Sequence, residues 1–465
     1  MVDLDRGLVV TADELRRTIS ELETVFRARG MGSADKCAMA IGNGPMFLAT
    51  LLAILRVEAS PLFLHAETPP AEIARTARRF DAVFAVADAL RADDLASVGF
   101  EGREFSCSGW AAGVLARAEP APENAGETAL AGVPLHPTSG TTGEPKLAVR
   151  PGRAAVAEAE HYIDTLGIED SDTILCTVPM SHAYGYGLGV MVPLVSGATV
   201  VSMRRSDAAS ISKALIGQRV TIYPAVPAML DLLLFTGGEG LRVPRCITSA
   251  GAPLPERVAV EVQRRSGTAV RSVYGTTETG IISGARSDHE PAVGSVGPPM
   301  HGVSVRLEPA DPTGDLEQGL GQLWVSSSSM MAGYLSPRGI DRALIVEGWF
   351  NTGDLARLDE AGNIVLRGRD SEVINVFGHK VLPREVEEVI ALLPQVVEVK
   401  VYSATNRLGW NSVKAAVAAT GGITAAHVRA HCEEHLVPYK RPAQISMLER
   451  LPRSPSGKIA LSQLP

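Results

Sequence analysis

One run constrains this chain more than any other: Thr138-Ser139-Gly140-Thr141-Thr142-Gly143-Glu144-Pro145-Lys146, which follows the apolar stretch Leu130 to Leu135. Gly140 and Gly143 allow backbone conformations and close approaches that a Cβ would block, so successive N–H groups can turn toward an anion while the Ser and Thr hydroxyls donate from the rim. Lys146 adds a full positive charge. By composition the run would also serve as a flexible linker, and the motifs that follow it decide between the two. It is not the phosphate loop of kinases and GTPases, whose spacing needs glycine directly before the lysine, where this chain has Pro145. A different nucleotide chemistry is indicated.

At 465 residues the chain exceeds the size at which one hydrophobic core keeps growing, so at least two domains are expected. The net charge of −8 offers no basic footprint, so neither nucleic acid nor a membrane surface is expected as a partner. No apolar run approaches the length of a bilayer span, and the amino-terminal MVDLDRGLVVTADELRR lacks the basic-then-apolar order of a signal peptide; a cytoplasmic location is expected. Cys37, Cys107, Cys176, Cys246 and Cys432 are far apart, odd in number and without a CxxC pair, which suits small buried hydrophobes better than a disulfide or zinc framework.

Thr11-Ala12-Asp13-Glu14 predicts a capping box opening a helix to about Arg29, with Leu15, Ile19, Leu22 and Phe26 at helical spacing. Lys36 to Ile41 reads as a short buried strand, Gly42 to Pro45 as a turn and Met46 to Arg56 as an apolar helix. Further strands are expected at Ala82 to Ala87, Thr173 to Val178, Thr199 to Met203, Val220 to Tyr223, Arg245 to Ser249 and Val270 to Val273. Mostly separated by helical stretches, they imply a mainly parallel sheet covered by helices on both faces. Ala118 to Gly126 reads as a surface linker. From Gly302 the strands are shorter, at Ser304 to Glu308, Gln322 to Ser326, Leu355 to Leu358 and Ile364 to Arg367, with Asp359 to Asn363 as a hairpin turn, suggesting a small β subdomain. A helix over Pro383 to Leu392, strands over Val396 to Ser403 and Ser412 to Ala419, and a helix over Ala425 to His435 then predict a compact α+β unit. The domain boundary is placed at Asp370-Ser371.

Tyr274-Gly275-Thr276-Thr277-Glu278 directly follows a predicted buried strand, and ligands of open α/β sheets sit at strand carboxyl ends. A tyrosine can stack on adenine, a threonine hydroxyl can reach the α-phosphate, and a carboxylate can hold Mg2+. Gly348 to Asp354 alone would pass as a turn with a hydrogen-bonded aspartate. Arg369 would pass as an ordinary exposed charge, and Pro452 to Lys458 as a solvated tail.

Taken together, and in that order along the chain, TSGTTGEPK, SAGAP, YGTTE, TGD, Gly368-Arg369 and a terminal SGK resemble the adenylate-forming superfamily of acyl-CoA and aryl-CoA synthetases, peptide adenylation domains and firefly-type luciferases. The resemblance implies an α/β fold: a large domain over 1–369, with parallel-type sheets, covering helices and a small β subdomain, a hinge at 370–371, and a small mobile α+β domain over 372–465. It assigns phosphate contacts to Thr138, Ser139, Gly140, Thr141, Thr142, Gly143 and Lys146. The adenine falls to Gly251, Ala252, Pro253 and Tyr274, with Gly275, Thr276 and Thr277 also against the nucleotide, and Mg2+ falls to Glu278. Asp354 and Arg369 take the ribose, Gly378 lines the thiol channel, and Lys458 reaches the carboxylate and α-phosphate. His182, Ala183, Tyr184 and Gly185, with Gly251 and Gly275, wall the acyl pocket. Lys458, Glu278, Thr142 and His182 are the expected catalytic set.

The resemblance also implies a two-step reaction with ATP, Mg2+ and coenzyme A: a small-molecule carboxylic acid becomes acyl-AMP, and a thiol then displaces AMP. Peptide adenylation domains tend to place an aspartate where this chain has Ala183, so an acid without an α-amino group is expected, because a buried ammonium would lack its counter-charge. Alternatives are a phosphopantetheinyl carrier protein as acceptor, and a luciferase-like oxygenase sharing the first step. This chain departs from the usual pattern at the hinge, where Ser371 replaces Asp or Lys.

Overall fold

The computed structural model describes residues 1–118, 131–138, 146–204, 207–286, 288–292, 294–309, 319–336, 339–376, 379–405, 411–453 and 459–465. By packing, the chain divides into a first unit of residues 1–304 and 325–350 and a second of residues 305–324 and 351–465.

The first helix of the first unit is the expected one, Ala12–Ala28, whose capping box is made in full: the Thr11 N–H donates to Glu14 Oε2 at 2.8 Å, and the Glu14 N–H to Thr11 Oγ1 at 3.3 Å. Its buried stripe is Thr18, Ile19, Leu22 and Phe26. Among the described residues, the expected parallel-type strands of this unit are divided between two large sheets. One runs, among the described residues, in the order Gly280–Gly284, Val270–Thr276, Cys246–Ser249, Ile222–Ala225, Thr173–Cys176, Thr199–Ser202, Val2–Asp3 and Leu8–Val9, parallel except at its two edges. The other has Lys36–Ala40, Ser60–Phe63, Phe84–Ala87 and Leu135–Thr138 in a parallel centre, with antiparallel strands on both sides. Helix Pro45–Arg56 is apolar nearly all round and buried. It shares one core cluster with Met39, Phe63 and Val86 of one sheet and Cys176 and Val200 of the other.

Several elements were not expected from the sequence, among them one strand and one hairpin. Ser60–Phe63 carries Pro61, which argues against a central strand, yet it pairs with Lys36–Met39 and with Leu135. Phe100–Cys107 and Ala111–Ala118 form a hairpin whose turn residues Ser108 and Gly109 both have positive φ, at 51° and 76°. A Ser-Gly pair between two short strands was the available signal. The expected linker after Ala118 lies outside the described residues. All five cysteines are free and buried, as anticipated.

The second unit contains most of a sheet formed by Val303–Pro309, Gly321–Ser327, Trp349–Leu358 and Ile364–Arg369. It also contains the ladder Val396–Thr405, Asn411–Ala419, Gln444–Leu448, covered by helices Pro383–Ala391 and Ala425–His435 around Val386, Ile390, Val401, Val417 and Val428. Asp354 lies within the Trp349–Leu358 strand, directly after Gly353 with its positive φ of 73°, while Gly348 stays in the turn before that strand. Among the described residues, no helix is long and apolar enough to cross a membrane.

Candidate active site

Strands Leu135–Thr138 and Lys146–Val149 are antiparallel neighbours, with Thr138 directly opposite Lys146. Ser139, Gly140, Thr141, Thr142 and Gly143, which stand between them in the sequence, lie outside the described residues. Thr138 is buried and Lys146 exposed.

The Lys146 ammonium stands 5.1 Å from the centroid of the Tyr334 ring, a cation–π contact. The hydroxyl of the same tyrosine donates to Glu278 Oε1 at 2.6 Å. One side chain thus links the two charged residues singled out for phosphate and metal. Tyr334 lies on strand Gly333–Ser336, opposite Ala148, and no local pattern marked it in the sequence. The Glu278 turn is tightened further: the Met331 N–H donates to Glu278 O at 2.7 Å, and the Thr279 N–H to Thr276 Oγ1 at 3.2 Å. Among the described residues, Glu278 Oε2 carries no hydrogen bond, and a carboxylate oxygen with free lone pairs suits a hard divalent cation.

Tyr274, Gly275 and Thr276 form the end of strand Val270–Thr276, with a bulge between Tyr274 and Gly275. A Cβ at Gly275 would stand 2.4 Å from the Gly280 carbonyl oxygen, so glycine is required there by backbone packing, and the space beside it is not free volume. Thr277 follows, half-buried, in the turn to Glu278. Gly251, Ala252 and Pro253 are exposed immediately beyond strand Cys246–Ser249, and Gly251 turns the chain with φ +84°.

The His182 segment is anchored by Asn43, which spends its side chain on backbone. Its Nδ2 donates to Val178 O at 2.9 Å and Met203 O at 3.2 Å, and its Oδ1 accepts the Met180 N–H at 2.8 Å. His182 is exposed, and Ala183–Tyr186 forms a single helical turn after it. A Cβ at Gly185 would lie 2.1 Å from Pro179 O, so this glycine too serves backbone contact. The Tyr184 hydroxyl shares a 2.7 Å hydrogen bond with Thr248 Oγ1. That bond joins the predicted acyl wall to the strand that leads into Gly251. Burial raises the Tyr184 phenol well above its ordinary value, so it stays protonated.

On strand Leu135–Thr138, His136 is 1% exposed and packed edge-on against Phe63 and Tyr186, and among the described residues neither ring nitrogen has a hydrogen-bond partner. Burial first, then the charge of Arg150, lowers its pKa well below 6.5. The folded ring stays neutral while the unfolded chain takes up a proton below 6.5, so stability falls as pH drops through that value and below. Going from about pH 7.5 to about pH 5.5 should cost the first unit about 1 kcal/mol through this group, and His136→Leu should remove that component. Urea midpoints of both proteins at the two pH values check it; equal slopes would reject the assignment.

In the second unit Asp354 is 7% exposed, and its Oδ1 meets Arg369 Nε at 3.1 Å across paired strands. The Asp354 N–H donates to Thr352 Oγ1, whose hydroxyl donates to Leu323 O. Ser371 lies in the 3-10 turn Asp370–Glu372, and Asp370 accepts from Gln322 Nε2 at 3.0 Å. Gly378 and Lys458 lie outside the described residues. Gly378 falls between strands Ile374–Val376 and His379–Val381, and Lys458 just before the bridge of Arg453 with Ile459.

Comparison with known proteins gives a consistent result. Residues 1–335 match the family described as AMP-binding enzyme, and residues 385–458 its C-terminal domain. The indoleacetate–CoA ligase of Aromatoleum aromaticum is 29% identical, over 96% of this chain and 91% of its own length. The 2-succinylbenzoate–CoA ligase of Bacillus mycoides is 34% identical, over 70% of this chain and 68% of its own. The O-succinylbenzoate coenzyme A synthetase of Bacillus subtilis, solved with ATP and magnesium ion, superposes with a TM-score of 0.80 at 25% identity, covering 100% of this chain and 95% of that one.

Proposed function

The chain belongs to the AMP-binding enzyme family, and from that premise we propose its reaction: it is an AMP-forming acid–CoA ligase that takes an acid without an α-amino group, of aryl or medium acyl type. The observation that carries the site is the Lys146–Tyr334–Glu278 linkage, which sets a cation and a metal-binding carboxylate on one tyrosine.

In the first step a carboxylate oxygen of the acid attacks the α-phosphorus of ATP. The bond from that phosphorus to the bridging oxygen breaks, and pyrophosphate leaves with its electron pair. Thr138 to Gly143 and Lys146 hold phosphate oxygens. Tyr274 and the Gly251-Ala252-Pro253 backbone hold adenine, and Asp354 and Arg369 hold the ribose. Mg2+, held by Glu278, neutralises phosphate charge when bound. Lys458 places an ammonium where two anions must approach, which favours the transition state over the ground state. In the second step the CoA thiolate attacks the acyl carbonyl carbon and AMP departs. For this the segment after the 370–371 hinge turns about Ser371, withdrawing Lys458 and presenting Gly378. His182, Ala183, Tyr184 and Gly185 wall the acid, and Ala183 supplies no counter-charge for an α-ammonium. The enzyme works in the cytoplasm, where ATP and CoA are available.

The test is acid-dependent exchange of labelled pyrophosphate into ATP over a panel of aryl and medium-chain acids, followed by addition of CoA or a phosphopantetheinyl carrier protein. Exchange with an aryl acid and acyl-CoA formation are expected. Absence of exchange across the panel would remove the first step, and transfer only to the carrier protein would replace CoA as acceptor.

A further inference from the structure

One buried ion pair in the first unit has no part in the chemistry above. Arg150, fully buried, follows the strand that carries Lys146, and its Nη2 donates to Glu158 Oε2 at 2.7 Å. Glu158 is 2% exposed on helix Gly152–Leu166, and its other oxygen, Oε1, accepts the Ile281 N–H at 3.0 Å. Arg150 Nη2 also donates to Ser329 O at 3.3 Å, and Ser329 Oγ donates to Thr279 O at 2.7 Å. Thr279 and Ile281 lie one and three residues after Glu278, so these bonds run from the end of the Lys146 strand to the C-terminal side of the Glu278 turn. Gly280 completes the fit. Its φ is +70°, and a Cβ there would meet Arg150 Nη2 at 2.8 Å and Glu158 Oε1 at 3.1 Å, so only glycine lets the turn close onto the pair.

Stability is a poor reason for such a pair. Taking two charges out of water is costly, and among the described residues Arg150 Nε and Nη1 are buried without partners, so compensation is incomplete. Apolar residues of similar size in such places are often neutral or stabilising. What an ion pair supplies and apolar packing does not is direction: short, charge-assisted hydrogen bonds fix distance and angle together.

We infer that Arg150 and Glu158 are positioning residues that hold the Glu278 turn in register with the Lys146 strand, so that both charges address the same polyphosphate. The inference rests on the phosphate and metal roles proposed for Lys146 and Glu278.

The experiment compares wild type, the double variant R150M/E158L and the single variant E158Q. Thermal unfolding, steady-state pyrophosphate exchange with Mg·ATP and acid varied separately, and amide hydrogen exchange over Thr276 to Ile281 are measured on each. The double variant should unfold at or above the wild-type midpoint, raise half-saturating Mg·ATP about tenfold or more, leave half-saturating acid unchanged, and exchange the turn amides faster. E158Q keeps an acceptor for the Ile281 N–H and should fall between the two. A folded double variant with wild-type Mg·ATP dependence overturns the inference. Should the double variant fail to fold, E158Q decides in the same way, a raised Mg·ATP requirement supporting the inference and an unchanged one overturning it. If wild type exchanges no pyrophosphate, the ligase reading falls, and the amides decide positioning alone: faster turn exchange at an unchanged midpoint supports it, and equal protection overturns it.

Discussion

Lys458→Ala should lower acid-dependent pyrophosphate exchange by about 10²- to 10³-fold, while transfer from chemically prepared acyl-AMP to CoA stays within a few-fold of wild type. The asymmetry follows from where charge develops. In the first step an anionic acid approaches an anionic phosphate, and negative charge grows on the phosphoryl oxygens, so one positioned ammonium is worth most at that transition state. In the second step the leaving group is AMP and the nucleophile attacks a carbonyl, so the same cation has no comparable task. Single-turnover assays of the two half-reactions, run on one preparation, measure both numbers. Equal losses in the two would show that Lys458 acts on binding or folding in general, and its assigned role would be withdrawn.

Glu278→Gln should raise half-saturating Mg2+ by about 10²-fold or more, with exchange falling correspondingly at fixed metal. The amide retains the shape and an oxygen but loses the charge that a hard cation requires. Tyr334 sharpens the prediction, because its hydroxyl donates to Glu278 Oε1 and so orients the carboxylate without binding metal itself. Tyr334→Phe should therefore shift the Mg2+ requirement in the same direction by about 10-fold, the scale of partners that orient a metal ligand. Metal titrations at saturating ATP and acid distinguish the two variants. If Tyr334→Phe moves the Mg2+ requirement as far as Glu278→Gln does, the tyrosine would have to be counted among the groups that contact the ion or the nucleotide.

Much of the architecture was legible residue by residue. The capping box at Thr11 to Glu14, the buried strand at Lys36, the apolar helix ending at Arg56 and the helix Ala425–His435 all stand where the patterns put them. These are local signals: a helix start is written in four consecutive side chains, and a buried strand in a few apolar ones. The misses were equally physical. Ser60–Phe63 is a strand because of the neighbours that cover it, and its proline argues the other way. The parallel-type sheets implied by the resemblance are present, but β-α alternation alone specifies only that strands are parallel and covered, not which sheet each strand joins.

By itself, the sequence determined the order of the nucleotide motifs, the α/β class and the identity of the charged groups, because each of these is written within a short stretch of chain. Only the tertiary structure decided that Tyr334 links Lys146 to Glu278, that Asn43 pins the His182 segment, and that Arg150 and Glu158 clasp the Glu278 turn. Those contacts join strands, turns and a helix, most of them from distant parts of the chain. Periodicity tells which face of a strand is buried, but which strands become neighbours is settled by the packing of the whole sheet.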